Sequence, residues 1–203
     1  MGLDFKTPYK IHTLEAIHRL ARTVSGRRSG SPLPDGVQPW DHDDDLRETF
    51  GTDDLCGAEI GVLEGLMSQE LLRWVPSLTL FMVDPWEKAE KDSAWFKSGD
   101  PIAKFTQKEW DSVKQEAQSR TSFAGERAVF GFSDAKALHN SVEHNLEEES
   151  DVPAFWDLVF LDGDHSYKGT MDAIEYMSVH SKEDAVFGGH DLDDPRYPGV
   201  RSA

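Results

Sequence analysis

The sequence predicts a doubly wound α/β fold, with a mostly parallel sheet covered by helices on both faces. First, short apolar runs alternate with stretches of helical periodicity through most of the chain. Second, the run FWDLVFLD, ending at Asp162, is nearly continuously apolar, as a central parallel strand is when helices lie over both of its faces. Third, the first strand, helix and strand are joined by short connections, and right-handed crossovers then leave few other topologies.

From Pro8 to Val24, Ile11, Leu14, Ile17 and Leu20 recur every three or four residues, which predicts an amphipathic helix that packs on the main body or serves a dimer interface. The next stretch, SGRRSGSPLPDGVQPWDHDDD, is rich in Gly, Pro, Ser and Asp, and reads as a long lid-like loop anchored by Val37 and Trp40. Residues 1–50 are therefore an N-terminal helix and loop, and 51–203 the main domain; a chain of 203 residues suits one core.

Within that domain a first strand ends at AEIG, Ala58 to Gly61, and a helix runs through LMSQELLRWV. A second strand spans Leu78 to Asp84, followed by a polar insertion, WEKAEKDSAWFKSGDP. Phe105, Trp110, Val113 and Ala117 mark a helix over Lys104 to Ser119. Arg127 to Phe132 is the third strand, Asp134 to His144 a helix, and EEES a solvated acidic turn. After the fourth strand, Tyr167, Met171, Ile174 and Met177 trace one helix face, and DAVFGGHD supplies a fifth strand ending at Asp191.

Charge narrows the function. With 38 acidic against 21 basic side chains the formal charge is −17, so the surface repels nucleic-acid backbones and anionic lipid. Arg27-Arg28 is too short a basic tract to reverse that. The lone cysteine, Cys56, excludes an internal disulfide and a multi-cysteine zinc site, and reads as a small core residue. Lys6, Lys10, Arg19 and Arg22 interrupt the first thirty residues, which fit neither a signal peptide nor a membrane span; a cytoplasmic location is the default.

In doubly wound sheets ligands bind at the carboxyl ends of the strands, near the point where strand order reverses. There the sequence offers Glu59-Ile60-Gly61-Val62-Leu63-Glu64-Gly65, a strand running into a glycine turn and a helix. The glycines admit positive φ and let a ligand reach the turn's backbone. This is not the GxGxxG of dinucleotide enzymes, because Glu59 would repel a pyrophosphate while attracting an ammonium or sulfonium. Asp84, nineteen residues after Gly65, is placed either to accept ribose hydroxyls or to cap the turn before Pro85. Asp162-Gly163-Asp164-His165 and His190-Asp191 bring oxygen and imidazole groups to neighbouring strand ends. Such a set can hold Mg²⁺ or Ca²⁺ through carboxylates, or Mn²⁺, Fe²⁺ or Zn²⁺ with histidine; alternatively Asp162 and Asp191 serve as plain hydrogen-bond partners.

Taken in order, AEIGVLEG, FMVDPW, GFSDAKAL, WDLVFLDGDHSY and FGGHD resemble the class I methyltransferases that use S-adenosylmethionine (SAM). The likeness spans about residues 55 to 200 and points to the bacterial small-molecule, methyltransferase-24-like group. It implies that Glu59, Gly61 and Gly65 line the methionine end of SAM, that Asp84 holds the ribose, and that Phe132 and Ser133 sit near the adenine. The region also resembles catechol-type O-methyltransferases in layout, which implies Asp162, His190 and Asp191 as ligands of a divalent cation that would orient and acidify an acceptor hydroxyl. The metal-free alternative makes His165 the general base, with Asp162 beside it in the catalytic pair.

The chain departs from this family at one point: after strand five only LDDPRYPGVRSA remains, where these enzymes usually continue through a helix and a β-hairpin. The expectation is a C-terminally short domain: either the chain is truncated, or a partner chain covers the exposed sheet edge. The functional expectation is SAM-dependent O-methylation of a small molecule. The competing classes are a non-catalytic SAM-binding module and an NAD-dependent oxidoreductase, the latter disfavoured by the missing glycine fingerprint.

Overall fold

The computed structural model describes residues 55–97, 101–146, 156–189 and 198–202. The helix expected over Pro8 to Val24, the loop after it, the EEES turn, and His190 and Asp191 lie outside the described residues.

Among the described residues five strands form one sheet: β1 Leu55–Ile60, β2 Leu78–Val83, β3 Ala128–Phe132, β4 Trp156–Leu161 and β5 Ser181–Gly189. Their order is β3-β2-β1-β4-β5, and every neighbouring pair is parallel. The chain moves outward from β1 to β3 and then crosses back to place β4 on the other side of β1, so strand order reverses between β1 and β4. Register aligns the strand ends. Ile60 pairs with both Val83 and Leu161, Val83 with Phe132, and Leu161 with Gly189, so all five carboxyl ends share one rim.

The helices are α1 Leu66–Trp74, a short α2 Ala94–Lys97, α3 Gln107–Thr121, α4 Ala135–Leu146, α5 Tyr167–Ser178 and α6 Pro198–Ser202. Side chains alternate across a strand, so Leu80 and Met82 face one way and Phe81 and Val83 the other. The first face packs on Leu71 and Leu72 of α1 and on Trp110 and Ala117 of α3. The second packs on Leu138 of α4 and Met177 of α5. Each fully buried Leu or Met in these layers contributes about 1.5–3 kcal/mol. No described helix is long and apolar enough to cross a membrane.

Two boundaries differ from expectation by three residues, and the others by two or fewer. The helix predicted from Lys104 begins at Gln107, because Thr106 and Glu109 form a reciprocal capping box and a separate short turn covers Ile102–Lys104. Phe105 consequently precedes the cap and packs on Trp110 at 5.5 Å between ring centroids, stapling the helix entrance. The fifth strand begins at Ser181, not Asp184: a register shift opposite Trp156/Leu158 admits extra residues, and Lys182 pairs with Asp157 from inside the strand. Asp157, buried within the apolar β4 run, accepts both that ammonium at 2.9 Å and the Cys56 N–H at 3.0 Å. Cys56 itself is half-buried, and burial, followed by the Asp157 charge, pushes its thiol up to about 12 against a lowering by Lys182. That marks a structural cysteine, as expected.

Candidate functional site

The site grows from the β1–α1 turn. Gly61 has φ +92°, and a Cβ there would lie 2.1 Å from the Asp162 carbonyl oxygen, so only glycine lets the β1 and β4 ends come this close. Gly65, at φ +74°, caps α1 and leaves room for Ala117 of α3, whose Cα is 3.1 Å from where its Cβ would stand. Between them Leu63 adopts φ +51°, a conformation that a leucine holds only under constraint, at about 1–3 kcal/mol.

Asp84 supplies much of that constraint. Its Oδ2 accepts the Val62 and Leu63 N–H groups at 3.0 and 2.9 Å, and its Oδ1 accepts the Trp86 N–H at 2.9 Å. One carboxylate thus caps its own turn and ties down the glycine turn of the neighbouring strand. Trp86 completes the frame: its indole N–H donates to the Leu63 carbonyl at 2.8 Å, and it too has positive φ, +43°. Burial pushes the Asp84 carboxyl up, opposed by these three backbone bonds and by the Lys114 charge.

Glu59 is 1% exposed and accepts the Ser68 hydroxyl at 2.5 Å from the first turn of α1. Burial drives its carboxyl well above the ordinary glutamate range; the Ser68 bond opposes this, and the Asp162 and Asp84 charges reinforce it. Three carboxylates, Glu59, Asp84 and Asp162, therefore converge around one turn. Asp162 continues the strand ladder, its N–H donating to the Ile60 carbonyl at 2.7 Å, and its Oδ1 lies 3.6 Å from His165 Nε2. That distance is within ion-pair reach and too long for a hydrogen bond.

The neighbouring residues have structural tasks. Asp164 accepts the Ser166 N–H at 2.9 Å and Ser166 caps α5, so this pair shapes the turn that carries His165. Tyr167 is 53% exposed and does not pack the helix as expected. At the β3 end the Phe132 carbonyl accepts the Asp84 N–H at 3.1 Å, and its ring lies on Phe81 with centroids 6.0 Å apart. Ser133 is exposed and donates to Asp134 at 2.9 Å. Of the three expected metal ligands only Asp162 is described, and among the described residues no group of three or more His, Cys, Asp or Glu stands ready for a metal ion.

Of the candidates named from the sequence, Glu59, Gly61, Gly65, Asp84 and Asp162 lie together at one rim. Sequence reasoning gave no role to Ser68 or Trp86. Ser68, three residues beyond Gly65, sits on the first turn of a helix that starts beside Glu59, a spacing that could have flagged it. Trp86 had no local signal, because its partner is twenty-three residues away.

Residues 58–192, well over half of the chain, match a family described as a methyltransferase domain. No curated protein sequence matches the chain. Among solved structures it is similar to cofactor-bound Rv0187 from MTB, at 17% identity and a TM-score of 0.44, covering 98% of this chain and 77% of that one. A putative O-methyltransferase from Klebsiella pneumoniae shows 20% identity and a TM-score of 0.42, with the same coverage of 98% and 77%. The O-methyltransferase TomG from Streptomyces achromogenes, solved with SAM, shows 18% identity and a TM-score of 0.46, covering 93% and 75%. With the family match lying over the strand ends and turns just described, the chain belongs to the methyltransferase-domain family and is a class I SAM-dependent methyltransferase.

Proposed function

We propose that this methyltransferase acts on a hydroxyl group of a small cytoplasmic molecule. Glu59, Gly61 and Gly65 take the methionine end of SAM, Asp84 the ribose, Phe132 and Ser133 the adenine side, and Asp162 with His165 the acceptor. One observation carries this reading: Glu59, Asp84 and Asp162 converge on a glycine turn at the point where strand order reverses.

That donor set fits the cofactor. Ionised carboxylates attract a sulfonium and an ammonium and repel the pyrophosphate of a dinucleotide, and a bound cation would draw Glu59, whose carboxyl burial raises, back toward its charged form. Three of the four lone pairs of Asp84 are engaged by N–H groups, leaving one on Oδ1 for a ribose hydroxyl. When bound, SAM would supply an electrophilic methyl that passes to the acceptor oxygen, the new oxygen–carbon bond forming as the carbon–sulfur bond breaks and leaves its electron pair on sulfur.

The protein's remaining tasks are alignment and proton removal. His165 takes the acceptor's proton, since an imidazole changes charge near neutrality, and Asp162 stabilises the imidazolium that forms. The Asp162–His165 contact favours this metal-free route. Assistance by a cation held at Asp162, His190 and Asp191 is the variant that titration with and without metal separates.

S-adenosylhomocysteine is titrated calorimetrically into the protein with and without Mg²⁺ or Mn²⁺, beside Asp84→Ala, and turnover is followed on a panel of phenolic and aliphatic alcohols. The expected result is metal-independent binding that Asp84→Ala abolishes, with methyl transfer to oxygen. Metal-dependent binding or turnover would replace the His165 route with the cation. No binding under any condition would leave a degenerate fold as the better account.

A further inference from the structure

We propose that Trp86 is a positioning residue for the cofactor turn, holding Leu63 through its indole N–H in the left-handed backbone conformation that SAM binding uses. The inference rests on the assignment of the β1–α1 turn to the cofactor.

Leu63 is the unexpected residue in that turn. Glycine accepts positive φ freely, and Gly61 and Gly65 bracket the loop, yet Leu63 between them stands at φ +51°. A leucine released there relaxes toward the ordinary regions, which rotates the adjoining peptide planes and pulls the Val62 and Leu63 N–H groups off Asp84. Both backbone groups of Leu63 are held: its N–H by Asp84 Oδ2 at 2.9 Å and its carbonyl by Trp86 Nε1 at 2.8 Å. The two holds converge, because Asp84 also binds the Trp86 N–H at 2.9 Å.

Trp86 is suited to be the fixed half of this clamp. It is 4% exposed, its ring lies 5.8 Å from that of Phe130, and the Lys114 ammonium sits 5.4 Å from its centroid. Its carbonyl accepts Gln107 Nε2 at 3.1 Å, which anchors its own strained backbone, at φ +43°, to the start of α3. Two non-glycine residues with positive φ, twenty-three positions apart, thus secure each other across neighbouring strand ends. Nothing about the hydrophobic layer demands this; burial of the ring alone would be served by phenylalanine.

The test is Trp86→Phe, which keeps an aromatic ring and removes the donor, read by amide hydrogen exchange and by S-adenosylhomocysteine titration together with steady-state kinetics. Exchange over residues 62–65 accelerates while β1, β2 and β4 stay protected. The dissociation constant and the KM for SAM rise about three- to tenfold, as loss of one hydrogen bond implies, with kcat within about twofold. Adding Leu63→Gly restores part of the affinity, since glycine holds this φ unaided.

Should Trp86→Phe fail to fold, Leu63→Val against Leu63→Gly tests the same backbone strain with Trp86 intact: valine, worse than leucine at positive φ, weakens binding more than glycine does. Unchanged exchange in Trp86→Phe, an affinity loss that Leu63→Gly leaves untouched, or equal losses in the valine and glycine variants each overturns the clamp. A wild-type protein that binds no S-adenosylhomocysteine counts against the cofactor assignment instead, and exchange over 62–65 then judges the clamp alone.

Discussion

Gly61 and Asp162 meet backbone to backbone: the position a Gly61 side chain would take lies 2.1 Å from the Asp162 carbonyl oxygen, while the Asp162 N–H donates to Ile60. No side chain therefore fits at Gly61 between the strand ends on either side of the reversal. Gly61→Ala must both adopt φ +92° and push β4 away, and loses about 3 kcal/mol or more. Gly163→Ala, whose nearest contact would be an ordinary 3.5 Å to Ile60, loses less than about 1 kcal/mol. Urea denaturation of the two variants checks the contrast, and equal losses would refute the close approach.

Asp84→Asn tests the carboxylate as a frame. An amide offers one acceptor oxygen, and its NH₂ would face either the Trp86 N–H or the Val62 and Leu63 pair. At least one buried donor is left without a partner, which lowers stability by about 1–3 kcal/mol before any ligand is added. A variant as stable as the wild type would mean that the three bonds contribute little.

Glu59→Gln separates stability from binding through pH. The folded pKa of Glu59 is raised, so above the unfolded glutamate range the native state retains a proton that the unfolded chain releases. Stability attached to this group is present at low pH and declines as pH rises toward the folded pKa. Thermal melts from pH 4 to pH 8, values spanning roughly the ordinary glutamate range to neutrality, should show the variant gaining on the wild type as pH rises. Ser68 can still donate to the amide oxygen. Binding of the cationic cofactor should weaken in the same variant; parallel melting curves would show that Glu59 is ionised in the native protein.

His165→Gln bears on the proposed proton transfer. Loss of a positioned general base lowers kcat by about 10²–10⁴-fold. Affinity for S-adenosylhomocysteine should hold, because the proposal assigns the cofactor to Asp84 and Glu59 and only the acceptor to His165. Turnover at the wild-type rate would remove His165 from the mechanism.

Cys56 should resist alkylation. With its thiol pushed up to about 12, the thiolate is scarce at neutral pH, and iodoacetamide should label the native protein far more slowly than the urea-unfolded chain. Lys182→Met leaves the Asp157 carboxylate buried without its ammonium, at a cost of about 1–3 kcal/mol given that Lys182 is a third exposed. Rapid native labelling would contradict the structural role of this corner.

Much of the fold was legible because its signals are local. The β4 run announced a central strand without help from its neighbours, and Trp110, Val113 and Ala117 marked one helix. The boundaries that moved were decided by contacts between elements or by caps: Lys182 enters β5 because Asp157 lies beside it, and Thr106 fixes where α3 starts. The same holds at the site. Glu59, Gly61, Gly65, Asp84 and Asp162 follow strand ends, which hydrophobic patterning locates, whereas Ser68 and Trp86 matter through partners brought near by the sheet.

By itself, then, the sequence determined the alternation of strands and helices, the acidic strand ends and the glycines that turn between them, since apolar periodicity and backbone freedom are properties of neighbouring residues. Only the tertiary structure decided that Asp84 binds three N–H groups across two turns, that Asp162 closes on Gly61, and that Trp86 fastens Leu63. The physical reason is register: parallel pairing of Ile60 with Val83 and Leu161 brings distant residues within hydrogen-bond reach, and a pairing between strands is not written in either strand alone.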